Sequence, residues 1–275
     1  MNPRTTGTIV LIHGPWLTPA AWHPWVARYT AAGYRTLAPA WPGMSDNVAA
    51  LRLAPQGLED IGVGEIVDHY ERIIRDLDEP PIIMGHSLGG AVTQILLDRG
   101  LGMAGVAINS SPIKGVLRLP LPTLRSAFPI LRIPKSRTGT VGLSLQDWHQ
   151  WFCNTLDRED SDTLYARHHV PTPGRPLWQV ATANLTLHPA TEVNLDNNER
   201  APLLLISGGA DRLSPPWLSQ ETVKRYRAPD VTTEHKEFPG RPNFTIGVSG
   251  WERVADYALS WAAPHHSIRS RLPQP

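Results

Sequence analysis

The strongest constraint on the fold of this chain is a rhythm: short, wholly apolar runs, each followed by a segment of helical pattern. The first run is Thr8-Ile-Val-Leu-Ile-His13. A strand that is apolar at successive positions is buried on both faces, as in parallel sheets covered by helices. A helix is expected from Pro19 to Ala32, with proline near its start and Gly33 just past its end. Tyr34 to Pro39 reads as the next strand, and a Pro- and Gly-rich loop leads to a helix from about Glu59 to Leu77. A strand from Pro81 to Met84, a helix from Leu88 to Arg99 and a strand from Met103 to Asn109 follow. The rhythm stops between about 113 and 198, where prolines and tryptophans are frequent. It resumes with strands at Leu203–Ser207 and Thr232–Phe238 and helices near Pro216–Arg227 and Gly250–Ala262.

Alternating strands and helices imply right-handed crossovers and a three-layer α/β core. The expected architecture is a mostly parallel six-stranded sheet built from 1–112 and 199–264, a helical cap at 113–198, and a frayed tail at 265–275. At 275 residues and 41% hydrophobic, the chain has enough apolar material for one such core with an insertion. Lys and Arg total 26 against 25 Asp and Glu, so net charge gives no ground for a nucleic-acid partner. The lone Cys153 can form no internal disulfide and reads as a small buried hydrophobe. No run approaches the roughly 20 apolar residues of a membrane span, and the apolar stretch Ile9–Ile12 is too short for a secretory signal. The expectation is a soluble, reduced, cytoplasmic protein without a membrane span. Nothing in the sequence sets its oligomeric state. No His/Asp/Glu cluster has metal-ligand spacing, so no metal or cofactor is expected.

The motif with chemistry is Gly85-His86-Ser87-Leu88-Gly89, between an apolar strand and a helix. On such a turn a serine hydroxyl is lifted above the sheet edge, and the next N–H, that of Leu88, faces a developing oxyanion. Further motifs surround it: His13-Gly14 closing the first strand, Ala21-Trp22, Gly33-Tyr34, Pro42-Gly43, and Gly208-Gly209-Ala210-Asp211 followed by Pro215. Together they resemble the esterase and lactonase branch of the α/β-hydrolase superfamily, including the plant methyl-esterase and hydroxynitrile-lyase group. The resemblance spans the core and is weak across the insertion. It implies an α/β-hydrolase fold in which Ser87 is the nucleophile and Asp211 the acid, an assignment set against a plain Asx turn at Asp211.

The resemblance also implies a histidine after the last strand, in a loop of the form Phe-Pro-Gly-Arg-x-His-Phe. Here the loop is Phe238-Pro-Gly-Arg241-Pro-Asn243-Phe244. Asn243 stands where the general base belongs, and an amide cannot take the serine proton near neutral pH. A second departure is Pro15, which follows His13-Gly14 at the place of the other oxyanion donor and has no N–H. Gly14, Pro15, Leu88 and Trp16 form the candidate oxyanion and substrate-contacting group; the amide of Trp16 compensates only if it turns inward. His149, His168, His169 and His188 of the cap are candidates for a substitute base.

Cap residues Trp148, Trp151, Phe152, Leu156, Tyr165 and Trp178 serve either the cap's own core or a pocket for a hydrophobic or aromatic small molecule, with Trp151 and Trp178 the candidate contacts. Lys114, Arg118, Arg125, Arg132, Lys135 and Arg137 form a basic stretch without acids, either a solvated face or guidance for an anionic ligand. Three functions remain open. One is a serine hydrolase of carboxylic esters or lactones with an impaired triad. The second is a non-hydrolytic cyclase, lyase or isomerase, and the third a catalytically dead ligand-binding module.

Overall fold

Successive residues of the first strand serve two different cores, and this sets the layers. The computed structural model describes residues 6–55, 57–116 and 137–269, with side chains to His265. In β1 (Thr8–Ile12) Ile9 and Leu11 join one apolar cluster, while Val10 and Ile12 join the other. That is the period-two geometry of a strand buried on both sides. After a 3-10 turn (Pro19–Trp22) come α1 (His23–Ala31), β2 (Arg35–Leu37), α2 (Val48–Leu53), α3 (Val63–Arg75), β3 (Ile82–His86), α4 (Leu88–Asp98) and β4 (Ala104–Ile108). The inserted segment contributes β5 (Thr140–Val141), α5 (Leu145–Trp151), α6 (Arg158–His168), β6 (Thr172–Pro173) and α7 (Gly174–Ala181). The core closes with β7 (Leu203–Gly208), α8 (Pro216–Arg225), β8 (Thr233–Phe238) and α9 (Trp251–Arg269).

The main sheet has six strands in the order β2-β1-β3-β4-β7-β8, and every pair is parallel. Trp22, Trp25 and Tyr29 of the α1 region and Val254, Ala255 and Ala258 of α9 cover one face. Ile66 and Tyr70 of α3, Ala91 and Leu96 of α4, and Leu218 of α8 cover the other. Side-chain bonds tie α1 to the C-terminal segment: Trp25 Nε1 donates to Ile246 O at 2.9 Å, and the Tyr29 hydroxyl to Ala255 O at 2.9 Å.

Four differences from the sequence expectation stand out. The short helix α2 interrupts what reads as loop; Asn47 caps it, its side chain accepting from Ala50 N at 3.0 Å. The long helix expected from Glu59 is shorter, Val63–Arg75, its start fixed where Gly62 N donates to Glu65 Oε2 at 3.0 Å. The helix expected to end near Ala262 runs through Pro264 to Arg269, so the residues just after 264 are helical rather than a frayed tail. The insertion is not helical alone: β5 and β6 pair antiparallel. In the basic stretch, Arg118, Arg125, Arg132 and Lys135 lie outside the described residues, Lys114 pairs with Glu192 at 2.8 Å, and the Arg137 guanidinium lies 5.5 Å from the Trp178 ring centroid. Among the described residues no helix is long and apolar enough to cross a membrane.

The insertion rests on loops that leave the C-terminal ends of the strands. Val170 N donates to Trp16 O after β1 (3.0 Å), Asn154 Nδ2 to Ala210 O after β7 (3.1 Å), and Phe244 N after β8 donates to Phe152 O (3.0 Å). It therefore caps the sheet edge at which Ser87 sits.

Candidate active site

Ser87 leaves β3 with φ 55° and ψ −119° and hands the chain to α4. A side-chain-bearing residue pays of order 1–3 kcal/mol for such a backbone; neighbouring glycines make the turn geometrically possible. A Cβ on Gly85 would lie 1.9 Å from the Gly89 carbonyl oxygen, and one on Gly89 would lie 2.2 Å from Ile12 O. The serine is 7% exposed, and among the described residues its hydroxyl has no hydrogen-bond partner. Leu88 is the first residue of α4, so its N–H has no intrahelical acceptor and is free for an anion.

The loop after β1 passes directly against the serine: a Cβ on Gly14 would lie 2.8 Å from Ser87 Cβ. Pro15 offers no N–H. Trp16 is left-handed, with φ 61°. The loop is locked from below by His13, whose Nδ1 donates to Gly14 O at 3.0 Å while its Nε2 accepts from Trp41 N at 3.2 Å. Trp41 Nε1 returns a bond to His13 O at 3.1 Å, and the two rings stack at 4.9 Å. Burial lowers the His13 pKa to about 4. Both of its nitrogens are engaged, so it is a neutral brace.

At the other end of the site, Asp211 is 4% exposed. Its Oδ1 accepts from Leu213 N at 2.7 Å and Ser214 N at 2.9 Å, and its Oδ2 accepts from Asn243 Nδ2 at 2.9 Å. Burial is the largest influence on its carboxyl and raises the pKa to about 7, against the opposing hydrogen bonds from Ser214, Asn243 and Leu213. A cationic partner would pull that value down; the Asn243 amide carries no charge. Asn243 is fully buried, and its Oδ1 has no partner.

The Asn243 backbone is held independently of its side chain. Its carbonyl accepts from His86 Nε2 at 2.9 Å, Asn109 Nδ2 at 2.8 Å and Thr245 N at 2.8 Å. Asn109, left-handed at φ 46°, also donates to Pro242 O (3.1 Å) and accepts from Gly208 N (2.7 Å), binding the ends of β4 and β7 to this loop. Neither brace is visible in the sequence, where Asn109 is merely a polar residue ending a strand and His86 a neighbour of the serine.

The candidate substitute bases are accounted for otherwise. His169 accepts from Leu143 N at 2.9 Å and stacks on Tyr165 at 4.3 Å. His168 packs on Phe244 at 5.3 Å, and burial lowers its pKa to about 4. His149 borders a cavity of about 400 Å³ together with Gln146, Asn154, Arg158 and Arg212, and Ser87 is not among its walls. His188 is exposed and lies 3.2 Å from Glu192. Among the described residues no imidazole hydrogen-bonds to Ser87 or Asp211, and no group of three or more His, Cys, Asp or Glu converges as a metal site would need.

Several of the cap aromatics pack against the core. Trp148 and Phe152 are fully buried, stack at 4.6 Å, and meet Phe244 at 5.6 and 6.4 Å, so they form the joint between cap and core. Trp151 is 9% exposed and belongs to the same apolar cluster. Trp178 is the other candidate contact. It lines a cavity of about 610 Å³ with Asp60, Arg137, Arg175 and Gln179, whose walls include neither Ser87 nor Asn243. The Arg137 guanidinium lies 5.5 Å from its ring centroid, and Gln179 on the same helix accepts from Val63 N at 2.7 Å, which ties α7 to α3.

Comparison with known proteins bears on the fold. No curated protein matches the chain. Among solved structures, a monoacylglycerol lipase from Paleococcus ferrophilus aligns at TM-score 0.68 and 22% identity, covering 94% of each chain. A methylesterase from Arabidopsis aligns at TM-score 0.65 and 14% identity, covering 92% of this chain and 98% of its own. A His→Ala variant of tomato methylketone synthase I complexed with β-ketoheptanoate aligns at TM-score 0.68 and 14% identity, covering 96% and 100%. At these identities the likeness is one of fold. Residues 9–245, from the first strand through the Asn243 loop, match the profile of the Alpha/beta hydrolase family, and the chain belongs to that family.

Proposed function

We propose that the chain is a serine hydrolase of the esterase and lactonase type whose substrate is a hydrophobic small molecule, and that it turns over slowly because Asn243 replaces the general base. Ser87 is the nucleophile, Leu88 N–H an oxyanion donor, and Asp211 the acid that orients residue 243. The observation that carries this reading is the 2.9 Å bond from Asn243 Nδ2 to Asp211 Oδ2. It joins the family's acid position to the residue standing at the base position. The esterase and lipase neighbours, and the apolar joint of Trp148, Phe152 and Phe244 beside the Asn243 loop, support a hydrophobic acyl substrate.

Removing the base of a serine triad costs on the order of 10⁶ in turnover, with about 10³–10⁴ over water left to the rest of the site. The test is hydrolysis of an activated medium-chain ester by the unmodified chain, Asn243→His, and Asn243→His with Ser87→Ala. Asn243→His is expected to raise kcat by at least about 10²-fold, and loss of the serine to abolish the gain. A substitution without gain in a folded protein would leave the ligand-binding or non-hydrolytic reading. Brisk turnover by the unmodified chain, lost with Ser87→Ala, would mean that another base serves the serine.

A further inference from the structure

Trp16 is the one bulky residue of the serine's surroundings held in a left-handed backbone, and both of its side-chain and carbonyl anchors are in the cap. Its φ is 61°. For a large aromatic residue that conformation is an outlier which the surroundings must impose. The indole Nε1 donates to Val141 O at 3.0 Å, in β5 of the cap. The Trp16 carbonyl accepts from Val170 N at 3.0 Å, between α6 and β6. The ring lies edge-on to Phe152 of the cap at 5.7 Å. Only the N–H of Trp16 has no acceptor among the described residues, although the residue is 6% exposed. A buried, unpaired N–H is rare and calls for a partner. This one lies two residues from Gly14, which is in contact with Ser87, and one residue from a proline that has no N–H to give.

We propose that the cap completes the oxyanion site: Val141 and Val170 clamp Trp16 so that its N–H supplies the donor that Pro15 lacks. The clamp makes the electrostatic half of the site conditional on the cap being seated. It rests on the reading of Ser87 as nucleophile. Trp16 N–H touches the reacting oxygen; Val141 and Val170 are positioning residues acting through it.

Two substitutions remove one anchor each. Trp16→Phe deletes the indole N–H and keeps a ring against Phe152. Val170→Pro deletes the N–H that Trp16 O accepts; the preceding His169 already has φ −67° and ψ 132°, the region a residue before proline takes. The probe is a medium-chain alkylboronic acid, which needs no general base for turnover. Addition of the Ser87 oxygen to boron, with its proton released to solvent, gives a tetrahedral anion with a boron-bound oxygen in the oxyanion position. The unmodified chain is expected to bind it, and Ser87→Ala to lose that binding. Each anchor variant should weaken it by about 10-fold or more, up to the roughly 10²–10³ that one oxyanion donor is worth. In the Asn243→His background the same variants should lower kcat with KM and the pH profile of kcat unchanged. A misplaced base would instead move the profile.

If Asn243→His shows no hydrolysis while boronate binding still weakens in the anchor variants, the proposed function fails and the clamp stands. If either folded variant binds boronate within twofold of the unmodified chain, the clamp is wrong. Failure of the unmodified chain to bind any boronate overturns the clamp together with the serine assignment.

Discussion

The two ends of the site differ in what has been kept. At the elbow, the φ 55° serine, the crowding at Gly85 and Gly89, and the free Leu88 N–H all fit the nucleophile role proposed for Ser87. At the acid end the backbone is equally well held, but the residue that faces Asp211 is an amide, Asn243. The Asn243 carbonyl takes three donors, from His86, Asn109 and Thr245, at 2.8–2.9 Å, and Asp211 is fixed by two amides. In this fold the position of residue 243 is set through its main chain. Its side chain adds the bond to Asp211, and on the proposed reading its identity decides whether the place does acid–base work. On the proposed reading a base is lost without loosening the scaffold, while burial raises the Asp211 carboxyl to about 7.

The largest effect that would sharpen this contrast is at the elbow. Gly85→Ala puts a methyl 1.9 Å from the Gly89 carbonyl oxygen, where the first turn of α4 packs on β3. The expected result is loss of more than about 4 kcal/mol, read by urea denaturation or as failure to accumulate folded protein. A variant that melts like the parent would show that the turn is not tightly constrained.

Asp211 gives the next effect, through pH. Its native pKa of about 7 exceeds the ordinary value of 3.8, so between those values the folded state binds more protons than the unfolded one. Stability on this account falls as pH rises from about 4 to 7 and is flat above, by at most about 4 kcal/mol for a shift of roughly three units. His13, His86, His168 and His169 act oppositely. Burial lowers each to about 4, so each costs stability as pH falls below 6.5. Subtracting the stability curve of Asp211→Asn from that of the parent isolates the carboxyl, since the histidines are common to both. The difference should decline from pH 4 to 7. A flat difference would mean that Asp211 is charged throughout and finds a cation elsewhere.

Asn109→Ala removes three buried hydrogen bonds at 2.7–3.1 Å and puts alanine at φ 46°. About 3 kcal/mol should be lost, together with any activity gained by Asn243→His, because the loop carrying residue 243 loses a brace. Full retention of that gain would show that His86 and Thr245 suffice. The smallest effect belongs far from the site. The Arg227–Asp196 pair, 2.6 Å long with side chains 69% and 57% exposed, should contribute less than about 1 kcal/mol by double-mutant cycle.

Much of the core is written in apolar runs whose period differs between sheet and helix. β1, β3 and β7 are buried at nearly every position, and a strand of that kind has one home, the middle of a covered sheet. The insertion was opaque for the opposite reason. α6, Arg-Glu-Asp-Ser-Asp-Thr-Leu-Tyr-Ala-Arg-His, is polar nearly all round, and its one clear signal is the Asp157 cap accepting from Asp160 N at 2.8 Å. The place of Asn243 was legible because the flanking Phe-Pro-Gly-Arg and Phe are local. The braces His86 and Asn109 were not, because they act across 157 and 134 residues of chain through a carbonyl that carries no sequence signature. The left-handed Trp16 was invisible for a like reason: its anchors are main-chain atoms of Val141 and Val170.

Whether Ser87 is well placed and poorly activated is measured directly by acylation in a single turnover. An activated ester is mixed with excess protein, and the acyl adduct on Ser87 is followed by intact mass for the unmodified chain and for Asn243→His. The account predicts adduct on Ser87 in both, forming at least about 10²-fold faster with histidine at 243. Equal acylation rates in the two proteins would contradict it, since the serine would then already have its base.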